Sequence, residues 1–151
     1  MQDVTASPAQ RVAQAYSTAA RGCDRLQPLA ALAIRLYIAH VFVLSGLTKL
    51  RDWGITLSLF ENEYHVPLLA PPVAAALGTA TELSLPVLIA AGLGTRLAAL
   101  ALFVFNAVAV ISYPDLSDAG LKDHVLWGTL LLVLAVYGPG PLALDRWLDR
   151  R

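Results

Sequence analysis

Glu82 lies between two apolar flanks, Pro71 to Thr81 before it and Leu83 to Ala91 after it. No other formal charge falls between Glu63 and Arg96. A charged side chain at mid-bilayer costs roughly 2.5–3.5 kcal/mol on insertion scales, so a carboxylate there marks a polar interior. Arg35 and His40 lie within the first apolar run, and Asn106 is the strongly polar residue of the third. At about 1.5 Å per residue, His40, Glu82 and Asn106 fall near the midpoints of their runs, and Arg35 falls about 7 Å from His40 toward the chain's N-terminal side. Arg35, His40, Glu82 and Asn106 therefore form a candidate intramembrane polar core. The long Arg35 side chain either snorkels or reaches Glu82. Arg35, Phe42, Gly46 and Lys49 share one helical face, whereas His40 is turned about 140° from Arg35, so one neighbour does not meet both. Gly78, Glu82 and Pro86 share a stripe on which Gly78 is small enough to let another helix approach. Such a core serves protons or the head of a quinone-like ligand. A structural ion pair, or a protonated carboxyl that donates a hydrogen bond, explains the same residues equally well. For Asn106 the plainer reading is a helix–helix hydrogen bond.

A second group gathers toward the opposite membrane face: Lys49, Asp52, Glu61, Glu63, His65, Asp123 and His124. Carboxylates and imidazoles bind divalent metals. Their spacing here matches no ligand motif, so solvated acidic loops are the plainer reading. Haem held between His40 and His124 would require equal depth, and His124 stands nearer the edge. Cys23 is the only cysteine, which excludes an intramolecular disulfide and a CxxC pair and disfavours cysteine-bound zinc. The chain shows no flavin, haem or iron–sulfur motif. No cofactor is evident, and a quinone or a divalent metal is what the polar groups admit.

The elements that position these residues follow from hydropathy. Apolar residues make up 57% of the chain and charged residues 15%, against about 25% charged in globular proteins. Net charge is zero, so no global field points to nucleic acid. Four apolar runs, 29–50, 68–92, 97–113 and 119–137, each have the length a helix needs to cross a hydrocarbon core of about 30 Å. They lack the period-two alternation of membrane strands. Gly92 to Arg96 is a very short turn, so the second and third runs are antiparallel neighbours. Residues 1–27 lack the apolar core of a cleavable signal. Ser7-Pro8 opens a helix, and Val12, Ala15, Tyr16 and Ala19 give residues 8–25 an amphipathic face suited to a membrane surface, with the break at Gln27-Pro28. In the first outer loop Asp52 caps a short interfacial helix with Trp53, Leu57, Phe60 and Tyr64 on one face, ending at Val66 because Pro67 follows. The expected fold is all-α: a four-helix transmembrane bundle over 28–148, an N-terminal amphipathic segment (1–27) and a short tail (149–151). Arg11, Arg21, Arg25, Arg35, Arg96, Arg146, Arg150 and Arg151 fall on one side, so the positive-inside rule places both termini in the cytoplasm.

Arg35, Phe42 to Lys49, Gly78 to Glu82, Gly92 to Arg96, Asn106 to Ala109 and the closing Gly138 to Asp145 occur in an order and spacing that resembles the DoxX family of small prokaryotic membrane proteins, over about 33–148. Trp53, Thr56, Leu59-Phe60, Glu63-Tyr64, Val66 to Leu69, Ile111 to Pro114, and Asp123-His124 with Trp127 resemble a branch that accompanies metal-responsive peptide-modification systems. The resemblance implies a four-helix transmembrane fold in the bacterial inner membrane. It further implies an accessory, non-catalytic role in a redox or stress-response complex that is linked to quinone. A membrane partner in copper-like metal stress and a small proton or solute transporter are the alternatives. The implied partners are the lipid bilayer, other membrane or periplasmic proteins and a second copy of the chain, and not nucleic acid.

Overall fold

The computed structural model describes residues 7–148, which are helical with no strands among them. The expected tail at 149–151 lies outside the described residues. Helix α1 spans Pro8–Asp24, α2 Gln27–Arg51, α3 Trp53–Asn62, α4 Pro71–Ala91, α5 Thr95–Ser112, α6 Asp118–Tyr137 and α7 Leu144–Leu148. Helices α2, α4, α5 and α6 are long and apolar enough to cross a membrane. Only 17 to 39% of the apolar stretch in each span is buried, and the outward positions carry Leu36, Leu44, Val87, Leu100, Val104 and Leu132. In a water-soluble bundle those positions would be polar. This is a multi-pass membrane protein whose outer surface meets lipid.

Local chemistry sets the ends of the helices. Ser7 and Gln10 form a reciprocal capping box at the start of α1, satisfying backbone N–H groups that have no helical partner. The break between α1 and α2 lies at Arg25-Leu26, just before the expected Gln27-Pro28, because proline is accommodated in the first turn of α2. Helix α1 buries no residue. Asp52 Oδ1 accepts from Ile55 N at 2.9 Å and starts α3. Helix α3 ends at Asn62 rather than at Val66. The chain leaves helical geometry early enough for His65 N to donate to Ser112 O at 2.7 Å, which ties this loop to the end of α5.

The core is built from the facing stripes of the spans. Ile38, Phe42, Ile89, Ala99, Leu102 and Leu131 are among its buried members. On α2 the buried stripe includes Arg35, Phe42 and Gly46. Gly78, Glu82 and Pro86 are buried together on α4. Helices α2 and α4 approach closely at Gly46, where a Cβ would lie 2.8 Å from the Leu83 side chain and 3.1 Å from Glu82 Cβ. At Gly78 the nearest atom would be 3.6 Å away, an ordinary contact. Gly46, not Gly78, is the residue that lets a neighbouring helix close on the carboxylate.

Candidate functional site

Gly46 sets the depth of Glu82. Because Gly46 packs on Glu82 Cβ, the carboxylate is level with Gly46 rather than with His40. Arg35 lies eleven residues back along the same helix, about 16 Å at 1.5 Å per residue, and so does not reach Glu82. The cation that does is Lys49, one turn beyond Ser45. Its Nζ donates to Glu82 Oε2 at 2.7 Å, to Glu82 Oε1 at 2.9 Å and to Ser45 Oγ at 3.0 Å. Ser45 Oγ donates to Glu82 Oε1 at 3.0 Å. Glu82 is 5% exposed, so the apolar surroundings that would penalise a lone carboxylate are offset by the ion pair with Lys49 and the hydrogen bond from Ser45.

Asn106 is buried, and its partner is His124 rather than Glu82. Asn106 Nδ2 donates to the His124 carbonyl at 3.0 Å, and Asn106 Oδ1 lies 2.8 Å from His124 Nδ1. A carbonyl only accepts, so the amide orientation follows, and the Nδ1 that faces Oδ1 must carry the hydrogen. His124 packs edge-on against Trp127, with ring centroids 4.9 Å apart.

Ser45, Lys49, Glu82 and His124 border a cavity of about 250 Å³ at the end of the bundle opposite the chain termini, lined from α2, α3, α4, α5, α6 and the two loops there. Ser45, Lys49, Glu82, Tyr64, Thr81, Ser112, Tyr113 and His124 supply its polar lining, and Phe60, Leu77, Phe105 and Val108 contribute apolar walls. Phe60, Tyr64 and Tyr113 form an edge-to-face run with centroid spacings of 4.9 and 5.1 Å. Tyr64 stands in the loop before α4, and burial, then the neighbouring Tyr113, Glu63 and Glu82, push its phenol above the ordinary tyrosine range.

Two of the four expected core residues therefore stand elsewhere. His40 is exposed on the outer face of α2. Arg35, 2% exposed, closes the termini end: Nη1 donates to Pro139 O and Nη2 to Ala90 O, each at 3.1 Å. In turn, Lys49 and His124 leave the expected surface cluster and point their chemistry inward. Glu61, Glu63, His65 and Asp123 are exposed. Among the described residues no three His, Cys, Asp or Glu side chains are grouped to hold a metal ion. Ser45 and Tyr113 carry the family resemblance but are not among the expected site residues, although Ser45 stands four residues before Lys49 and hence on its face.

A small apolar cavity with one ion pair and one oriented imidazole, all inside a four-helix membrane bundle, is the arrangement to compare with known proteins. The DoxX family's sequence model matches residues 30–114, more than half of the chain. The chain belongs to the DoxX family. No curated protein and no solved structure gives a significant match. The DoxX match runs from α2 to the loop after α5, and so includes Ser45, Lys49, Tyr64, Glu82 and Tyr113 of the cavity lining and the Asn106 that orients His124.

Proposed function

We propose that this DoxX protein is an accessory, non-catalytic subunit of a membrane redox or stress-response system, and that its cavity receives the ring of a quinone-like molecule. The observation that carries this reading is the cavity itself. An engineered apolar cavity of roughly 150 Å³ holds a benzene ring, and 250 Å³ accommodates one substituted ring. Its aromatic walls suit a planar ring, and a few fixed polar groups orient it, as is general for small-molecule sites. The cavity lies toward the end of the spans opposite the termini, and a lipid-soluble ligand would leave its tail in the bilayer.

Placement in the bacterial cytoplasmic membrane with both termini in the cytoplasm belongs to the same proposal, and rests on the arginines at the termini end. Against a transport reading stands the Arg35 closure, which fills the opposite end of the bundle with hydrogen bonds to Ala90 and Pro139. The metal-stress reading has no matching ligand set among the described residues. The test is purification in mild detergent from the native host, with quinone and co-purifying proteins identified together, for the wild-type chain and for Glu82→Gln. The proposal expects quinone and a stable protein partner with the wild type and loss of the quinone in the variant at unchanged abundance. A folded chain that isolates alone and quinone-free refutes it.

A further inference from the structure

Leu68 is the one non-glycine residue with a positive φ, +64°, among the described residues. In that left-handed conformation the leucine Cβ crowds the following carbonyl oxygen, a strain that glycine escapes. The protein gives the side chain nothing in return, for Leu68 is 103% exposed. Its neighbours are placed otherwise. Tyr64, Val66 and Leu69 of the same loop line the cavity, and His65 N donates to Ser112 O at the end of α5. The turn at Pro67-Leu68 thus stands between two cavity-lining residues and holds a leucine outside the wall they form.

The depth of this turn follows from α4. That helix starts at Pro71 and has 21 residues, a length of about 31 Å at 1.5 Å per residue, which matches a hydrocarbon core of about 30 Å. Pro71 then stands at the hydrocarbon boundary. Three residues of chain reach at most about 11 Å, so Leu68 lies within the layer where acyl chains meet headgroups. Val73, exposed in the first turn of α4, continues the apolar surface from Leu68 onto the lipid-facing side of that span. Trp53 and Ile55 of α3 are also exposed at this end, as suits a membrane interface.

The geometry points to a lipid anchor: Leu68 is seated in the acyl-chain boundary of the leaflet at the cavity end, and it holds the loop wall of the cavity against the bilayer. The partner is the bilayer itself, because the leucine is continuous with a surface that already meets lipid. Burying a leucine side chain in an apolar phase stabilises by about as much as the left-handed strain costs. Lipid therefore supplies the offset that the protein does not, whereas in water the same leucine would be both strained and solvated. The anchor is independent of what the cavity binds.

The test places a small fluorophore on Leu68→Cys in a Cys23→Ser background, since Cys23 is exposed and would react as well. Val73→Cys serves as the lipid reference and Asp115→Cys, in the exposed loop after α5, as the aqueous reference. The full chain is held in nanodiscs, with quenching by a lipid nitroxide near the top of the acyl chain compared with quenching by aqueous iodide. The probe at 68 should match Val73→Cys toward the nitroxide and be quenched by iodide several-fold less than Asp115→Cys. Hydrogen exchange reads the native leucine without a probe. Leu68→Ser keeps the strain and removes the anchor, so the His65 amide should exchange several-fold faster in nanodiscs, while Leu68→Met should leave it unchanged. Iodide quenching equal to that at Asp115→Cys puts the turn in water and overturns the anchor. Protection from both quenchers assigns the leucine to a second copy or another protein and overturns it too, as does unchanged exchange in Leu68→Ser. None of these outcomes decides ring binding, which is measured separately.

Discussion

The Lys49–Glu82 pair concentrates the physics of this chain in two side chains. Removing one partner of a buried ion pair strands the other, at about 3–5 kcal/mol, whereas replacing both with apolar residues of similar volume is often neutral or better. Glu82→Leu should therefore lower stability by about that amount, and Lys49→Met combined with Glu82→Leu should recover most of it. Equilibrium unfolding in mixed micelles checks this, and additive losses in the double variant would remove the pairing from the account. Tyr64 gives a pH signature with a defined sign. Its phenol is held above its ordinary value by burial and by Tyr113, Glu63 and Glu82. The folded state thus keeps a proton that the unfolded chain releases. Stability from this residue is complete below the unfolded pKa near 10 and is lost as pH rises through the higher folded value. Tyr64→Phe should flatten the fall in thermal stability above about pH 10 relative to wild type; parallel curves would contradict it.

At the scale of elements, the close contact of α2 with α4 places the pair. A methyl at Gly46 would lie 2.8 Å from Leu83 and 3.1 Å from Glu82 Cβ, and overpacking of this kind costs about 1–3 kcal/mol. Gly46→Ala should lower thermal stability accordingly and reduce ring binding, while Gly78→Ala, with ordinary contacts, should change stability little. The closing segment works in a different way. Asp145 accepts from Gly94 N at 2.8 Å and Thr95 N at 3.3 Å, capping α5 from 50 residues away in sequence, and Arg96 donates to Val136 O at the end of α6. Asp145→Ala should cost about 0.5–2 kcal/mol, as cap removal does, without altering ring binding. Hydropathy alone located the four spans within a few residues, because apolar length is a one-dimensional property. Helix partners were not legible in the same way. Counting rise per residue assumed that the spans start level, and α4 is instead offset so that Glu82 faces Gly46. That offset replaced Arg35 by Lys49 and turned the expected Glu82–Asn106 level into two separate hydrogen-bonded groups.

For the whole molecule, the two ends of the bundle have opposite characters. The termini end is closed: Arg35 bonds Ala90 and Pro139, and Gly92, with φ of +74°, leaves no room for a Cβ beside Ala143 and Arg35. The other end opens into the cavity, roofed by α3 and the loop that His65 ties to Ser112. The His65 tie explains why α3 ends at Asn62, and a proline rule applied at Val66 had no access to it. The proposed ring-binding role uses the end that holds the cavity, while the Arg35 end is packed by its hydrogen bonds to Ala90 and Pro139. The most direct measurement of that account fills the hollow. Gly78 lines the cavity, and a Cβ there meets ordinary contacts, so Gly78→Leu should fold and occupy the space. Calorimetry of tetramethyl-1,4-benzoquinone in nanodiscs should show saturable one-to-one binding to wild type that is lost in Gly78→Leu. Identical, non-saturating uptake by wild type, variant and protein-free nanodiscs would show that the cavity holds no ring.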